Sequence, residues 1–184
     1  MKKILFLAVV LILSLGLAKA WADEGGTTAN GSDFIWGVGL GVAGEGNGFS
    51  TGYSLGYGLD ADFGLKLDSN WAALLGVDFY LFNTNLSGFS SNEFNFIPSL
   101  RYTFGTTGTR PYVLAGMGLN DNTSTAPSSS TASLVLAAGA GLLFPGGQLN
   151  NRDFDLFIQL KYEEVLTTQG NFSYFPLSAG VQFN

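Results

Sequence analysis

The sequence has no cysteine and no histidine among its 184 residues. Without these side chains the chain cannot form a disulfide bond, a thiol nucleophile, a Ser-His-acid triad or a histidine-based zinc site. Charged residues are also scarce, at 12% of the sequence, whereas a typical soluble domain has about 25%. Catalysis that depends on cysteine or histidine is therefore excluded. The low content of charged residues also leaves a large apolar fraction that the fold must accommodate.

A long apolar run is present at the N-terminus and nowhere else. Lys2 and Lys3 precede the apolar stretch 4–17, and Ala20-Trp21-Ala22 is a small-x-small cleavage site. This order is typical of a secretory signal peptide, since about 14 apolar residues are too few for a membrane-spanning helix. We predict a cleaved signal peptide over 1–22, and an uncleaved membrane anchor is the alternative.

Cleavage would make the mature chain strongly acidic. Lys2, Lys3 and Lys19 would be lost with the signal peptide, so the eight Lys and Arg residues would fall to five against 14 Asp and Glu residues. The net charge of the mature chain is then −9, which disfavours nucleic acid as a partner. Residues 23–33 are mostly polar, and we expect them to form a flexible N-terminal tail.

From Phe34 onward, large apolar residues alternate with small or polar ones. Eight such runs follow one another, at 34–43, 53–67, 71–81, 94–104, 113–119, 133–144, 154–163 and 177–183. A period of two indicates strands, and the Gly-, Asn- and Ser-rich segments between the runs indicate turns. We therefore predict an all-β fold, an eight-stranded antiparallel up-and-down transmembrane β-barrel over 34–184.

Volume predicts which face of the strands is inside. The interior of an eight-stranded barrel is just wide enough to be filled by side chains. The face with most of the Phe, Trp, Tyr and Leu residues would overfill that space, whereas the Gly, Ala and Ser face fits. The large apolar face is then outside, where lipid is its natural solvent. A soluble barrel with its apolar face inside is the alternative.

The placement of aromatic residues agrees with a membrane barrel whose two termini are periplasmic. Eight aromatic side chains would then cluster at the inner rim as a membrane-interface girdle: Phe34, Trp36, Trp71, Tyr102, Phe104, Phe144, Phe154 and Phe183. Loops rich in Ser, Thr, Asn and Gly are expected outside the cell at 44–50, 83–93, 120–131 and 165–173. Such loops favour hydrophilic display.

Charged residues on the inward face form the candidate site. They are Asp60, Asp62, Lys66, Asp78, Arg101, Asp155, Lys161 and Glu163. A buried charge needs an opposite partner, so we expect a salt-bridge network across the lumen with Arg101 and Lys161 as its cationic centres. The network would close the barrel, and a gated pore or ion path is the alternative interpretation.

The C-terminal pattern carries a resemblance to a known family. The alternation Leu177-x-Ala179-x-Val181-x-Phe183 is similar to the signal that the barrel-assembly machinery reads. Together with the signal peptide and the eight strands, it makes the chain from about Phe34 resemble the small bacterial outer-membrane β-barrel superfamily, of OmpA/OmpX-type and OmpW-like barrels. The family usually ends on the aromatic residue, whereas Asn184 follows here.

The resemblance implies a place and a set of partners. The place is the outer membrane of a Gram-negative cell, with both termini periplasmic. The partners are outer-membrane lipid, lipopolysaccharide and, through 177–183, the barrel-assembly machinery.

Three functions remain open at this point. We expect a non-enzymatic structural or surface-display protein that needs no cofactor or metal. A narrow channel for small or hydrophobic solutes, as in OmpW-like barrels, is the first alternative. A lipid-modifying enzyme is the second, although the enzymes of this superfamily rely on histidine.

Overall fold

The computed structural model describes residues 34–46, 53–84, 90–125, 128–149, 152–168 and 170–183. The predicted signal peptide and N-terminal tail lie outside these residues. The described residues form eight strands: β1 (Phe34–Glu45), β2 (Tyr53–Lys66), β3 (Trp71–Thr84), β4 (Ser90–Thr103), β5 (Arg110–Thr125), β6 (Ser128–Leu149), β7 (Arg152–Leu166) and β8 (Phe172–Phe183). No helix among the described residues is long and apolar enough to cross a membrane.

The strands close into one barrel. Each strand pairs antiparallel with the next, and β1 pairs antiparallel with β8 from Trp36↔Phe183 to Glu45↔Tyr174. The predicted fold class, an eight-stranded antiparallel up-and-down barrel, is thus confirmed. We call the rim where β1 begins, β8 ends and β2 turns into β3 the terminal rim, and the opposite one the distal rim.

Burial follows the alternation in the sequence. In β1 the side chains of Ile35 and Ala43 are fully buried, whereas Leu40 between them is 71% exposed. Large apolar side chains are exposed on the outside of all eight strands, with Met117 and Leu59 also more than half exposed. The outer face is therefore the apolar one, as the volume of the interior predicts.

The inner face also holds several large rings, because glycines on neighbouring strands make room for them. Tyr80 and Tyr112 both point inward and are buried. A Cβ atom at Gly58 would lie 2.4 Å from Cδ1 of Tyr80, and one at Gly141 would lie 2.4 Å from Cζ of Tyr112. Glycine at these two positions is thus required by close approach.

The strands are longer than the sequence predicts. Residues expected in loops 83–93 and 120–131 are paired up to Asn83↔Ser90 and Thr125↔Ser128. The segment between the predicted runs 133–144 and 154–163 is also largely strand, since β6 pairs with β7 down to Leu149↔Arg152 after a register shift between Pro145 and Gly147. Hydrophobic alternation fades beyond the apolar band, but backbone pairing does not depend on it.

The turn between β2 and β3 is fixed by side-chain hydrogen bonds. The backbone N–H groups of Asn70 and Trp71 each donate to Oδ1 of Asp68 at 2.7 Å, which lowers the pKa of the Asp68 carboxyl. Nδ2 of Asn70 donates to the carbonyl of Thr103 at 2.8 Å. This turn is therefore held against the end of β4 and shapes the terminal rim.

The close packing of glycines on rings predicts the effect of one added methyl group. Gly58→Ala should lower the free energy of unfolding by about 1–3 kcal/mol, because the new Cβ would also lie 2.3 Å from the carbonyl oxygen of Phe79. Urea unfolding of the barrel in detergent micelles measures the loss. Gly44→Ala is the matched control, since nothing lies within 4 Å of a Cβ there, and equal effects at the two sites would contradict the packing argument.

Candidate functional site: a filled polar lumen

Lys161 is the centre of a buried ion cluster. Its Nζ lies 3.3 Å from Oδ1 of Asp60 and 3.1 Å from Oε1 of Glu163, and it donates to Oδ2 of Asp78. Asp60 and Asp78 are directly opposite each other on β2 and β3, a placement that is destabilising for two like charges. Lys161 on β7 offsets this repulsion across the lumen.

The members of this cluster are almost completely shielded from solvent. Asp78 and Glu163 are 1% and 0% exposed, and Lys161 is 6% exposed. The hydroxyl of Tyr80 donates to both carboxylate oxygens of Asp60 at 3.0 Å. Buried charges need such hydrogen bonds as well as an opposite charge, because desolvation is costly.

Hydrogen bonds extend the cluster toward the distal rim. Nδ2 of Asn95 donates to Oε2 of Glu163 at 2.6 Å, and Nδ2 of Asn120 donates to Oδ1 of Asn95 at 2.7 Å. The same Asn120 amide donates to Oε2 of Glu93 at 2.8 Å. Asn122 also donates to this buried carboxylate. A continuous polar chain therefore runs along β4 and β5 from Lys161 to Glu93.

A separate polar group lies near the terminal rim. Arg110 and Asp155 form an ion pair of 2.5 Å. Arg101 donates from one terminal guanidinium nitrogen to Oε1 of Gln182, and its guanidinium lies 5.3 Å from the ring centroid of Tyr112. Arg101 therefore contacts the side-chain amide of Gln182 and the ring of Tyr112, whereas ion pairs with carboxylates were expected.

The structure brings together half of the residues expected in the lumen network. Asp60, Asp78, Lys161 and Glu163 form one cluster, and Asp155 pairs with Arg110 elsewhere.

The remaining expected members are placed differently. Asp62 faces inward but forms no ion pair with the described residues, and Lys66 is exposed at the terminal rim. Arg101, expected as a second cationic centre, forms no ion pair with the described residues: it donates to Gln182, and Asp155 pairs with Arg110.

Sequence reasoning missed two charged members of the lumen. Glu93 shares its face with Asn95 but lies before the point where the apolar alternation of β4 begins. Arg110 shares its face with Tyr112 but lies before the alternating run 113–119. Every second side chain of a strand points to the same face. Extending this alternation beyond the predicted runs would have placed both side chains inside.

Three buried rings lie on the distal side of the ion cluster. Tyr80, Phe82 and Tyr174 are each 0% exposed. Their ring centroids lie 5.6 to 6.5 Å apart, which is the spacing of packed aromatic pairs. The lumen is therefore obstructed first by charges and then by rings.

All eight aromatic residues expected in the girdle lie outside the barrel near the terminal rim. Trp36 stacks on Phe183 at a centroid distance of 4.3 Å, and Phe183 also contacts Phe154 at 6.1 Å. On the other side, Tyr102 lies 4.9 Å from both Trp71 and Phe104. The remaining two, Phe34 and Phe144, are exposed at 44% and 38%.

Comparison with known proteins identifies the fold. No family model and no curated protein matches the chain, but several solved structures do. Neisserial surface protein A (NspA) matches with a TM-score of 0.66 at 18% identity, over 83% of this chain and 97% of that chain. The N-terminal β-barrel domain of Pseudomonas aeruginosa OprF matches with a TM-score of 0.54 at 20% identity, over 84% and 98%.

A third solved structure gives the same result. Ail, the attachment invasion locus protein of Yersinia pestis, matches with a TM-score of 0.50 at 18% identity, over 83% of this chain and 97% of that chain. Similarities at these identities show the fold. The chain has the fold of small eight-stranded outer-membrane β-barrels, so the resemblance seen in the sequence is confirmed.

The ion cluster predicts a large effect when its cation is removed. Lys161→Met should lower the free energy of unfolding by about 3–5 kcal/mol, because three buried carboxylates would lose their partner. Lys66→Met is the control, and we expect it to stay within about 0.5 kcal/mol because Lys66 is exposed. Chemical unfolding in detergent measures both values, and an unchanged Lys161→Met barrel would refute the role of the cluster.

Proposed function

We propose that this protein is a non-enzymatic integral outer-membrane barrel that displays polar hairpins on a closed, rigid scaffold. The observation that carries the proposal is the filled lumen, in which the Lys161 cluster and the rings of Tyr80, Phe82 and Tyr174 are buried. A barrel whose interior is filled along its axis is suited to anchoring the polar hairpins at its distal rim.

The outer surface supports a membrane location. Large apolar side chains are exposed on every strand, far beyond the few hundred Å² of contiguous apolar surface that soluble monomers tolerate. A closed barrel also pairs backbone groups within the protein, as lipid requires. The aromatic side chains near the terminal rim have the placement of an interfacial girdle.

This placement suggests an orientation and partners. The terminal rim would be periplasmic, because both ends of the barrel, Phe34 and Phe183, lie there. Outer-membrane lipid and lipopolysaccharide would surround the apolar band. The strand segment 177–183 would be presented to the barrel-assembly machinery.

The distal hairpins are the surface that the scaffold would display. The ladder of β5 and β6 continues to Thr125↔Ser128, and that of β3 and β4 continues to Asn83↔Ser90. Residues near these tips are mainly Ser, Thr and Asn. Backbone pairing orients the described residues that lead to these tips, which suits a surface role.

The lumen residues give no support to an enzymatic role. The sequence has no histidine for a triad. The carboxylates of Asp78 and Glu163 are at most 1% exposed and are bound to Lys161, so a substrate has no access to them.

Membrane insertion is tested by extraction and electrophoresis. We expect the protein to fractionate with outer membranes, to need detergent for release, and to migrate differently before and after boiling because the folded barrel is compact. Recovery of the folded protein in the soluble periplasmic fraction, without detergent, would overturn the membrane proposal.

The closed lumen is tested in planar lipid bilayers. The purified barrel should show no discrete conductance steps, because an ion would have to pass the buried Lys161 cluster and the three rings. A general porin prepared in the same detergent is the positive control. Reproducible openings of the wild-type barrel would favour the narrow channel over the scaffold.

A further inference from the structure

A small cavity opens at the terminal rim of the barrel. Its volume is about 30 Å³, and its polar lining includes Lys66, Asp68, Asn70, Arg101, Thr103 and Arg110. A space of this size holds one small group and cannot enclose a whole metabolite. Three of the lining residues are cationic and one is anionic, so the lining carries a charge of +2.

Arg101 has unused hydrogen-bonding capacity at this cavity. The residue is only 5% exposed, and one terminal nitrogen donates to Gln182. Its buried Nε has no hydrogen-bond acceptor among the described residues. Buried guanidinium donors are normally satisfied, so the contacts of Arg101 with the described residues leave part of its hydrogen-bonding capacity unused.

The anionic groups nearby are already engaged. Asp68 accepts two backbone N–H groups within its own turn, and Asp155 pairs with Arg110. Asp62 and Asp155 attract Arg101 only at longer range. Lys66, in contrast, is exposed and forms no ion pair within the described part of the chain. Lys66 and Arg101 are therefore the two cations of the cavity that remain available.

We propose that the cavity binds a phosphate group, with Arg101 and Lys66 as its contacts. A phosphate group carries a charge of about −1.5 to −2 at pH 7, which is opposite in sign to that of the two available cations. The planar guanidinium binds phosphate oxygens directionally, and the lysine adds a mobile point charge. This site is independent of the proposed scaffold function. Phosphate binding by the purified, folded barrel can be measured whatever membrane the barrel occupies.

Inorganic phosphate is the first probe, titrated into the detergent-solubilised barrel at constant ionic strength with chloride as the replaced anion. We expect saturable heat in calorimetry and a rise in the melting temperature. Lys66→Gln should weaken binding about tenfold or more, as expected for the loss of a charged hydrogen bond. Lys66 is exposed, so this variant should fold normally.

Arg152→Gln is the matched control. It removes one positive charge from an exposed residue at the start of β7, and Arg152 is not part of the cavity lining. Its affinity for phosphate should equal that of the wild type. Absence of saturable binding, or equal weakening in Lys66→Gln and Arg152→Gln, would overturn the proposal, since the second result means general charge attraction.

A second arm identifies the source of the phosphate group. Short-chain phosphatidic acid, which has a lipid-borne phosphate, is added to the barrel with bound inorganic phosphate. If the lipid displaces inorganic phosphate, and if the Lys66→Gln variant weakens this displacement, the site is assigned to a lipid headgroup. Failure of the lipid to compete, with saturable binding of inorganic phosphate retained, assigns it to the free ion.

Discussion

The attraction between Lys161 and three carboxylates is the interaction on which the interior of this barrel depends. Asp60 and Asp78 face each other across one strand pair, and Glu163 lies two residues from Lys161 on β7. Buried carboxylates need an opposite charge, because removing them from water is costly, and Lys161 supplies it to all three. One side chain of β7 therefore ties the β2–β3 wall to the opposite side of the barrel, and a shift in register on either side would separate the ions.

Small residues make this arrangement possible. An eight-stranded barrel has so little interior space that each inward ring needs a neighbour without a side chain. Gly58 and Gly141 fulfil this need for Tyr80 and Tyr112. Glycines on the inner face thus leave the space that these inward rings occupy.

The fold was predictable from the sequence, and the contacts within the lumen were only partly so. The period of two divides the side chains of each strand between two faces, and the limited volume of the interior determines which face is inside. Both arguments use only the order of large and small residues along the chain. The level of a side chain along the axis depends on register. Alternation excludes a slip of one residue, which would exchange the two faces, but a slip of two residues preserves the pattern. Parity therefore placed Arg101 and Lys161 correctly inside, but it could not tell that Arg110 is the partner of Asp155.

Strand register also places the two polar regions of the lumen at different levels along the barrel axis. The Lys161 cluster groups three carboxylates around one lysine and is followed by the rings of Tyr80, Phe82 and Tyr174. The cavity at the terminal rim has an excess of cations and opens outward. Because the cluster lies between that cavity and the distal rim, a ligand held by Arg101 can enter and leave only through the terminal rim. Binding there would be one-sided, so a phosphate site and a closed barrel are compatible in the same molecule.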